Sequence, residues 1–450
     1  MPDYNAPVPR ALPLVVTLAL LAGGCRGPER LAENVVLISI DTLRPDFLGC
    51  FGSELGASPN LDVLCREAVA FEQAISHAPS TLMSHASLLS SLPPARHGAS
   101  FANRRALPEE LVTLAEALRE RGFRTASFNE GGQVAGRWGL AQGFEVYESM
   151  GRGRDRFDRV VERALEWLDA PATPVDEPFF LFLHSYEVHH PYTPNPEDLA
   201  RFAPAGYDGW LGDRIEISEL RWINQGGVEI DGVDLARIRA AYAAEIASVD
   251  RALGRLLDGL RERRLLDRTL IVFTSDHGEE FGEHGTVGWH THSLYDELLR
   301  VPLIVALPGG RWAGERVGRQ VRLMDVAPTV LDALAAEVPA GWEGTSLLAL
   351  LRGERVPPLL AVAQRDVRDG DRDEGDAALR TGRWKWYEGR LHDLLADPAE
   401  RHDYTHLEPE LARTLEAALG ELLRAGPAAA GDEVELDPET RERLKALGYL

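Results

Sequence analysis

Asn34-Val-Val-Leu-Ile-Ser-Ile-Asp-Thr42 decides the fold. The run from Asn34 to Ile40 is apolar and β-branched, with no alternation of polar residues. That pattern describes a strand buried on both faces, as in a parallel sheet covered by helices. It ends directly in Asp41-Thr42, so a carboxylate reaches the carboxyl end of the strand, where open α/β sheets bind their ligands. Two further runs have the same form. Phe179-Phe-Leu-Phe-Leu183 leads into His184-Ser-Tyr-Glu-Val-His-His190, and Thr269-Leu-Ile-Val-Phe-Thr274 leads into Ser275-Asp-His-Gly-Glu279. Three buried strands thus bring Asp41, Glu187 with His189, and Asp276 with His277 to one rim.

Helical patterns fill the intervals. Residues 111–121, 154–168, 235–263 and 326–334 read as amphipathic helices, and 122–128 as another strand. The alternation predicts an α/β sandwich with a large, mostly parallel central sheet flanked by helices. Residues 193–232, rich in Trp, Asn, Asp and Gly without clear periodicity, read as an excursion over the active-site rim. From residue 359 the pattern changes to short strand-like pieces around the acidic loop 366–376, followed by helices near 407–424 and 438–447. The expected organisation is a catalytic domain over 31–358 and a small C-terminal antiparallel α+β subdomain over 359–450.

The 450-residue chain is 44% hydrophobic, enough for a large core. Its formal charge of −23, with no compensating Lys/Arg run, excludes non-specific nucleic-acid binding. An anionic substrate would need a metal for attraction. Residues 11–22 form an apolar run too short to span a bilayer, preceded by Arg10, and read as a secretory signal. Its end, Leu21-Ala-Gly-Gly-Cys25, resembles a bacterial lipobox, which would leave Cys25 as a lipid-modified N-terminus on the periplasmic side or the outer membrane. The membrane would then be touched only through that anchor. An ordinary cleaved signal is the alternative. Cys50 and Cys65 are too few for a disulfide framework, and each reads as a buried small residue.

His77-Ala-Pro-Ser-Thr-Leu-Met-Ser-His-Ala-Ser-Leu-Leu-Ser-Ser-Leu92 places Thr81 at the start of an amphipathic helix. Unpaired N–H groups and the helix dipole favour negative charge there, so Thr81 reads either as an ordinary cap or as a hydroxyl stabilised as an alkoxide.

Residues 34–52 followed by Ser58-Pro-Asn-Leu-Asp62 resemble the opening of the sulfatases, within the alkaline phosphatase superfamily. Matching stretches follow in order: Gly139-Leu-Ala-Gln-Gly-Phe144, Thr274-Ser-Asp-His-Gly-Glu279, Leu294-Tyr-Asp-Glu-Leu-Leu-Arg-Val-Pro302, Asp325-Val-Ala-Pro-Thr329, Arg380-Thr-Gly-Arg-Trp-Lys385 and Leu444-Lys-Ala-Leu-Gly-Tyr449. The resemblance implies an alkaline-phosphatase-like sandwich and a metal-dependent hydrolase, in which a nucleophile beside a divalent cation attacks the sulfur or phosphorus of an ester. By position it makes Asp41 and Asp276 metal ligands, puts His277 where sulfatases commonly have a metal-binding Asn, and puts Thr81 where the formylglycine precursor stands. The sulfatase signature Cys/Ser-x-Pro-x-Arg is replaced by Thr81-Leu-Met-Ser-His85, and Thr42 replaces the second aspartate of the Asp-Asp pair. No formylglycine is expected from a threonine.

A threonine among Asp41, Asp276 and His277 suits phosphoryl transfer through a covalent intermediate, with the hydroxyl itself on the metal. The imidazole of His277 shifts the expected metal from Ca²⁺ toward Zn²⁺ or Mn²⁺. The substrate is an anionic ester: phosphate or phosphonate, with a true sulfuric ester hydrolase as the alternative and a decayed lipid-anchored binding protein as a third reading. Glu187-Val-His-His-Pro-Tyr192 resembles the family's Asp-Pro-His-x-Pro-Tyr turn, which sets His189 on the substrate oxyanion or on a second metal. Gly288-Trp-His-Thr-His292 resembles the Gly-His-Gly-His run and implies substrate binding by His290 and His292. Two schemes remain: a second metal on Glu187, His189 and one of His290 and His292, or one metal with His189 and His290 as oxyanion donors and leaving-group acid. His85, one helical turn after Thr81, fits either scheme as a catalytic residue.

Overall fold

The computed structural model describes residues 29–151, 156–170, 177–371 and 373–447, so the leader read over residues 1–25, with Cys25, lies outside the described residues. The central sheet is built from β1 (Asn34–Ile40), β2 (Val69–Ile75), β3 (Arg124–Asn129), β4 (Val146–Ser149), β5 (Phe179–Ser185) and β6 (Thr269–Thr274). A small hairpin, β7 (Glu280–Phe281) and β8 (Val287–Trp289), follows before the sheet resumes with β9 (Arg300–Ala306), β10 (Arg316–Val317) and β11 (Val321–Arg322). The strand order is β10-β2-β9-β6-β1-β5-β3-β4, with β11 also on β2. Among the described strands of this sheet, only β9 runs against its neighbours, β2 and β6.

The pleat of β1 explains the two layers. Val36, Ile38 and Ile40 enter one core with Phe157, Ile246 and Leu253, from helices Arg156–Asp169 and Gly232–Glu262. Val35 and Leu37 point the other way, into a core with Leu82, Leu89 and Leu118. Every residue of β1, β5 and β6 is buried, which is why each reads as a continuous apolar run.

Several boundaries move for capping reasons. The helix expected over 111–121 spans Leu114–Arg119, because Thr113 accepts from the Glu116 N–H and forms a capping box. The helix expected over 235–263 starts at Gly232, because Asp231 accepts from the N–H groups of Val233 and Asp234 at 2.7 and 2.9 Å. Residues 193–232 are not aperiodic coil: they hold two short helices, Pro196–Phe202 and Ile217–Asn224. The Thr81–Ser90 helix is not amphipathic, since all its residues are buried. Cys50 and Cys65 are not separate small residues. They form a disulfide that ties the chain after β1 to helix Pro59–Arg66.

Beyond the main sheet, β12 (Ala361–Gln364), β13 (Ala377–Arg380), β14 (Trp384–Tyr387) and β15 (Arg390–Asp393) form an antiparallel sheet. Helix Pro409–Arg424 covers one face through Ala412, Leu415 and Leu419. The other face meets the main body through Ala361, Ala363, Ala378 and Tyr387, packed with Ile75, Leu294 and Leu299.

Candidate active site

β1 lies between β5 and β6, so the ends of all three strands are adjacent. Asp41 leaves β1 with its N–H on the Ser185 carbonyl at 2.9 Å. The next residue, Thr42, has φ of 56°, a left-handed conformation that is costly for a β-branched residue. Three contacts hold it there: its N–H donates to Asp276 Oδ1 at 3.3 Å, Leu43 N–H donates to Ser275 Oγ at 2.9 Å, and the Tyr242 hydroxyl donates to the Thr42 carbonyl at 2.7 Å. The strained turn locks the Asp41 end of β1 onto the Asp276 end of β6.

Thr81 is the first residue of its helix; Ser80 is the N-cap and makes no side-chain capping bond. The Thr81 hydroxyl donates to Asp41 Oδ2 at 3.1 Å. One of the N–H groups at this helix start is already engaged, since Leu82 N–H donates to Gln133 Oε1 at 3.1 Å. His85 sits behind Thr81: its Nδ1 lies 2.7 Å from the Thr81 carbonyl and 3.7 Å from Asp276 Oδ2, and its Nε2 2.9 Å from Ser39 Oγ. It buttresses the turn that carries Thr81.

Asp41, Asp276 and His277 converge, each with a ligand atom within 4.8 Å of those of the other two. Asp41 Oδ1, Asp276 Oδ2 and His277 Nε2 are all buried without a hydrogen-bond partner. Leaving such groups unmatched is expensive, and a divalent cation would satisfy all three at once. His277 Nδ1 sits 2.9 Å from the Gly278 carbonyl, which fixes the tautomer that leaves Nε2 as a lone-pair donor. Burial and the neighbouring Asp276 carboxylate push Asp41 well above the usual carboxylate range. Burial opposes charge on Asp276 too, but His277, His85 and His184 hold it below that range. The protein alone therefore favours one protonated and one ionised carboxyl, a pair that a cation suits better than a proton. The donor set fits a divalent metal.

On the flank lie His189, His190 and His290, all buried. His290 stacks toward His277 with ring centroids 4.6 Å apart and toward His189 at 4.9 Å. Burial pushes His290 down to about 3 against the pull of Glu279, and burial with its imidazole neighbours puts His189 well below the ordinary histidine range. Both are neutral at physiological pH.

Two expected participants are elsewhere. Glu187 does not join the histidines: its Oε2 accepts from the N–H groups of Arg156 and Phe157 at 2.5 and 3.2 Å, capping that helix. The lengthening from Asp to Glu and the free helix start within reach account for this. His292 is held outside the cluster, with Nε2 on Glu280 Oε2 at 2.5 Å and on Thr286 Oγ1 at 2.9 Å. In their place stand residues given no role from the sequence. Glu279 accepts from His190 Nδ1 at 2.9 Å, and His184 Nε2 approaches Asp41 Oδ2 at 3.5 Å. Gln133 lies in a Gly-rich stretch with no motif, whereas Glu279 and His190 sit inside quoted motifs and were legible by position.

A buried Asp/Asp/His cluster on adjacent parallel strands, faced by a threonine at a helix start, defines a metal-dependent hydrolase of the alkaline phosphatase superfamily. The chain belongs to the sulfatase family: the family model described as Sulfatase matches residues 33–336. Arylsulfatase K of Canis lupus familiaris is 26% identical to it, over 89% of this chain and 84% of that protein. Among solved structures, phosphonate monoester hydrolase of Agrobacterium radiobacter superposes with a TM-score of 0.70 at 24% identity, covering 87% of this chain and 95% of that one. A structure in complex with its substrate D-glucosamine-2-N,6-O-disulfate superposes with a TM-score of 0.68 at 20% identity, covering 88% and 98%. Sulfatase-superfamily enzymes use a divalent metal and hydrolyse ester bonds, and this chain is a hydrolase of that family.

Proposed function

We propose that this hydrolase cleaves phosphate or phosphonate esters, with the Thr81 hydroxyl as nucleophile. The carrying observation is the placement of that hydroxyl, 3.1 Å from Asp41 and at a helix N-terminus beside the Asp41, Asp276 and His277 cluster. When bound, a divalent cation on these residues lowers the hydroxyl pKa and offsets the negative charge of the ester. The mixed carboxylate and imidazole set favours zinc or manganese over calcium.

In the reaction, Thr81 Oγ bonds to phosphorus as the P–O bond to the leaving group breaks; the Thr81 proton passes to water, and the leaving alkoxide takes one proton back from water to depart as an alcohol. Water then hydrolyses the phosphothreonine, restoring Thr81 and releasing phosphate or phosphonate. His85 anchors the carbonyl of Thr81, so it acts by positioning the nucleophile, while His189 and His290 line the flank where the ester oxygens sit. A second reading, hydrolysis of sulfate esters, is supported by the arylsulfatase relatives; it must dispense with formylglycine, because position 81 is threonine.

The test is a panel of 4-nitrophenyl phosphate mono- and diesters, phenylphosphonate and sulfate. Phosphorus esters should turn over fastest, and Thr81→Ala should lose several orders of magnitude in kcat, against the roughly 0.5–2 kcal/mol of stability that a mere cap would cost. Rapid quenching should trap a phosphate adduct on Thr81. Preferential turnover of the sulfate ester, or undiminished activity in Thr81→Ala, would overturn the reading.

A further inference from the structure

The hairpin of β7 and β8 runs on into His290-Thr-His292, and its middle residue is strained. Thr291 has φ of 75°, a left-handed conformation that suits glycine and is costly for a β-branched residue. The two histidines beside it show what the strain does. On an extended chain, residues two apart point the same way and adjacent residues point opposite ways. Here His290 Nδ1 lies 3.5 Å from Glu279 Oε1, whereas His292 Nε2 lies 2.5 Å from Glu280 Oε2, so a pair two apart is divided between adjacent carboxylates. An extended Thr291 would send both imidazoles to one face. The left-handed turn buries His290, its ring 4.6 Å from that of His277, and leaves His292 partly exposed.

A contact from the antiparallel sheet holds that turn. The Thr291 carbonyl accepts from Arg365 Nε at 3.1 Å. Arg365 directly follows β12 and is fixed twice by Asp376, the last residue of the acidic loop 366–376. Its N–H donates to the Asp376 carbonyl at 2.9 Å, and its Nη1 pairs with Asp376 Oδ1 at 3.1 Å. Asp376 is buried, and its Oδ2 accepts from the Asp373 N–H at 2.6 Å, so the loop closes on the same carboxylate. Three residues past Thr291, Leu294 is packed with Ala361, Ala363 and Tyr387. Thr291 therefore lies where the chain crosses from β8 to the antiparallel sheet. An arginine that merely joined the two parts would reach a carboxylate across the boundary, as Arg380 does with Asp296. Arg365 instead directs its Nε to one backbone carbonyl, that of the strained residue.

We propose that Arg365 is a positioning residue of the active site: by holding the Thr291 carbonyl it keeps the left-handed turn that presents His290 to the ester. The antiparallel sheet and its acidic loop thereby set the geometry of a histidine they do not touch. This role rests on the reading that His290 lines the ester site, and it holds whether the ester carries phosphorus or sulfur.

The experiment is a double-mutant cycle on the full chain, with kcat and KM measured on the 4-nitrophenyl ester that the wild type turns over fastest. Arg365→Gln should lower kcat by about 10–100-fold, the size expected when a site group is displaced by an ångström, with KM moving less than kcat. Arg365→Lys keeps a donor for the carbonyl and should lose less. Glycine adopts positive φ without strain, so in the Thr291→Gly background the same Arg365→Gln change should cost under about 3-fold. A role confined to stability would lower the urea midpoint, leave kcat of the folded enzyme alone and show no dependence on position 291. Hydrogen exchange supplies a readout apart from turnover: amides of residues 289–293 should lose protection in Arg365→Gln while those of β1, β5 and β6 keep theirs. With His290→Ala impaired, full kcat in Arg365→Gln, equal losses in both backgrounds or unchanged exchange at residues 289–293 would overturn the role of Arg365 and leave the proposed function standing. Full kcat in His290→Ala would overturn both that role and the place of His290 at the ester.

Discussion

Not every buried carboxyl near the site stands where a ligand would. Glu130 sits beneath the rim, accepting from the Ser185 hydroxyl and from the Tyr186 N–H at 3.1 Å. Burial pushes its carboxyl from 4.5 up to about 7, although Arg156 opposes the shift. The folded protein therefore keeps a proton that the unfolded chain gives up, so stability is lost as pH rises from 4.5 through 7. The loss from this group is about 3 kcal/mol. Urea unfolding across that range should show the fall, and Glu130→Gln should flatten it; an unchanged profile in the variant would assign the slope to other groups. At this scale the sequence was most readable where a residue ends a buried strand, as with Asp41, Asp276 and His277. It misled where a side chain could reach a competing partner. Glu187 was expected among the histidines because of its place in a motif, but two bare N–H groups at a helix start outcompete them.

Among the elements, the segment that follows β1 carries the strained Thr42 turn and is pinned to helix Pro59–Arg66 by Cys50–Cys65, two cysteines 15 residues apart. A cross-link closing a loop of that length stabilises by about 3 kcal/mol, mainly by restricting the unfolded chain. Reductant should lower the urea midpoint of the wild type, whereas the Cys50→Ser, Cys65→Ser double variant should already sit at the lower midpoint and ignore reductant. Pairing of two cysteines is not legible from their spacing, because it depends on where the turn after β1 brings Cys50. The same reason hid β2 and β9, whose shorter apolar stretches are interrupted by Glu72, Gln73 and Pro302 and are buried by sheet neighbours distant in sequence. By contrast β1, β5 and β6 needed no tertiary information, because burial on both faces leaves only apolar residues to choose from.

Across the whole molecule, the antiparallel sheet is fastened to the catalytic body by ionic contacts as well as apolar ones. Asp296 accepts from Arg380 Nη2 at 2.8 Å and from Lys385 Nζ at 3.1 Å, and Lys385, fully buried, also pairs with Glu400 at 2.8 Å. From residues 1–25 we infer an exported chain anchored by lipid on Cys25. Membrane partitioning should then be lost in Cys25→Ser, and persistence of partitioning would remove that reading. The placement of β1 between β5 and β6 has a further consequence. The strands that aim the site are the middle of the sheet, with both neighbours paired on their outer sides as well. Amides there should exchange with solvent only when the whole domain opens, while those of residues 193–232 exchange early. Heat should therefore abolish turnover at the temperature of global unfolding and not below it, so the site keeps its geometry for as long as the protein is folded at all.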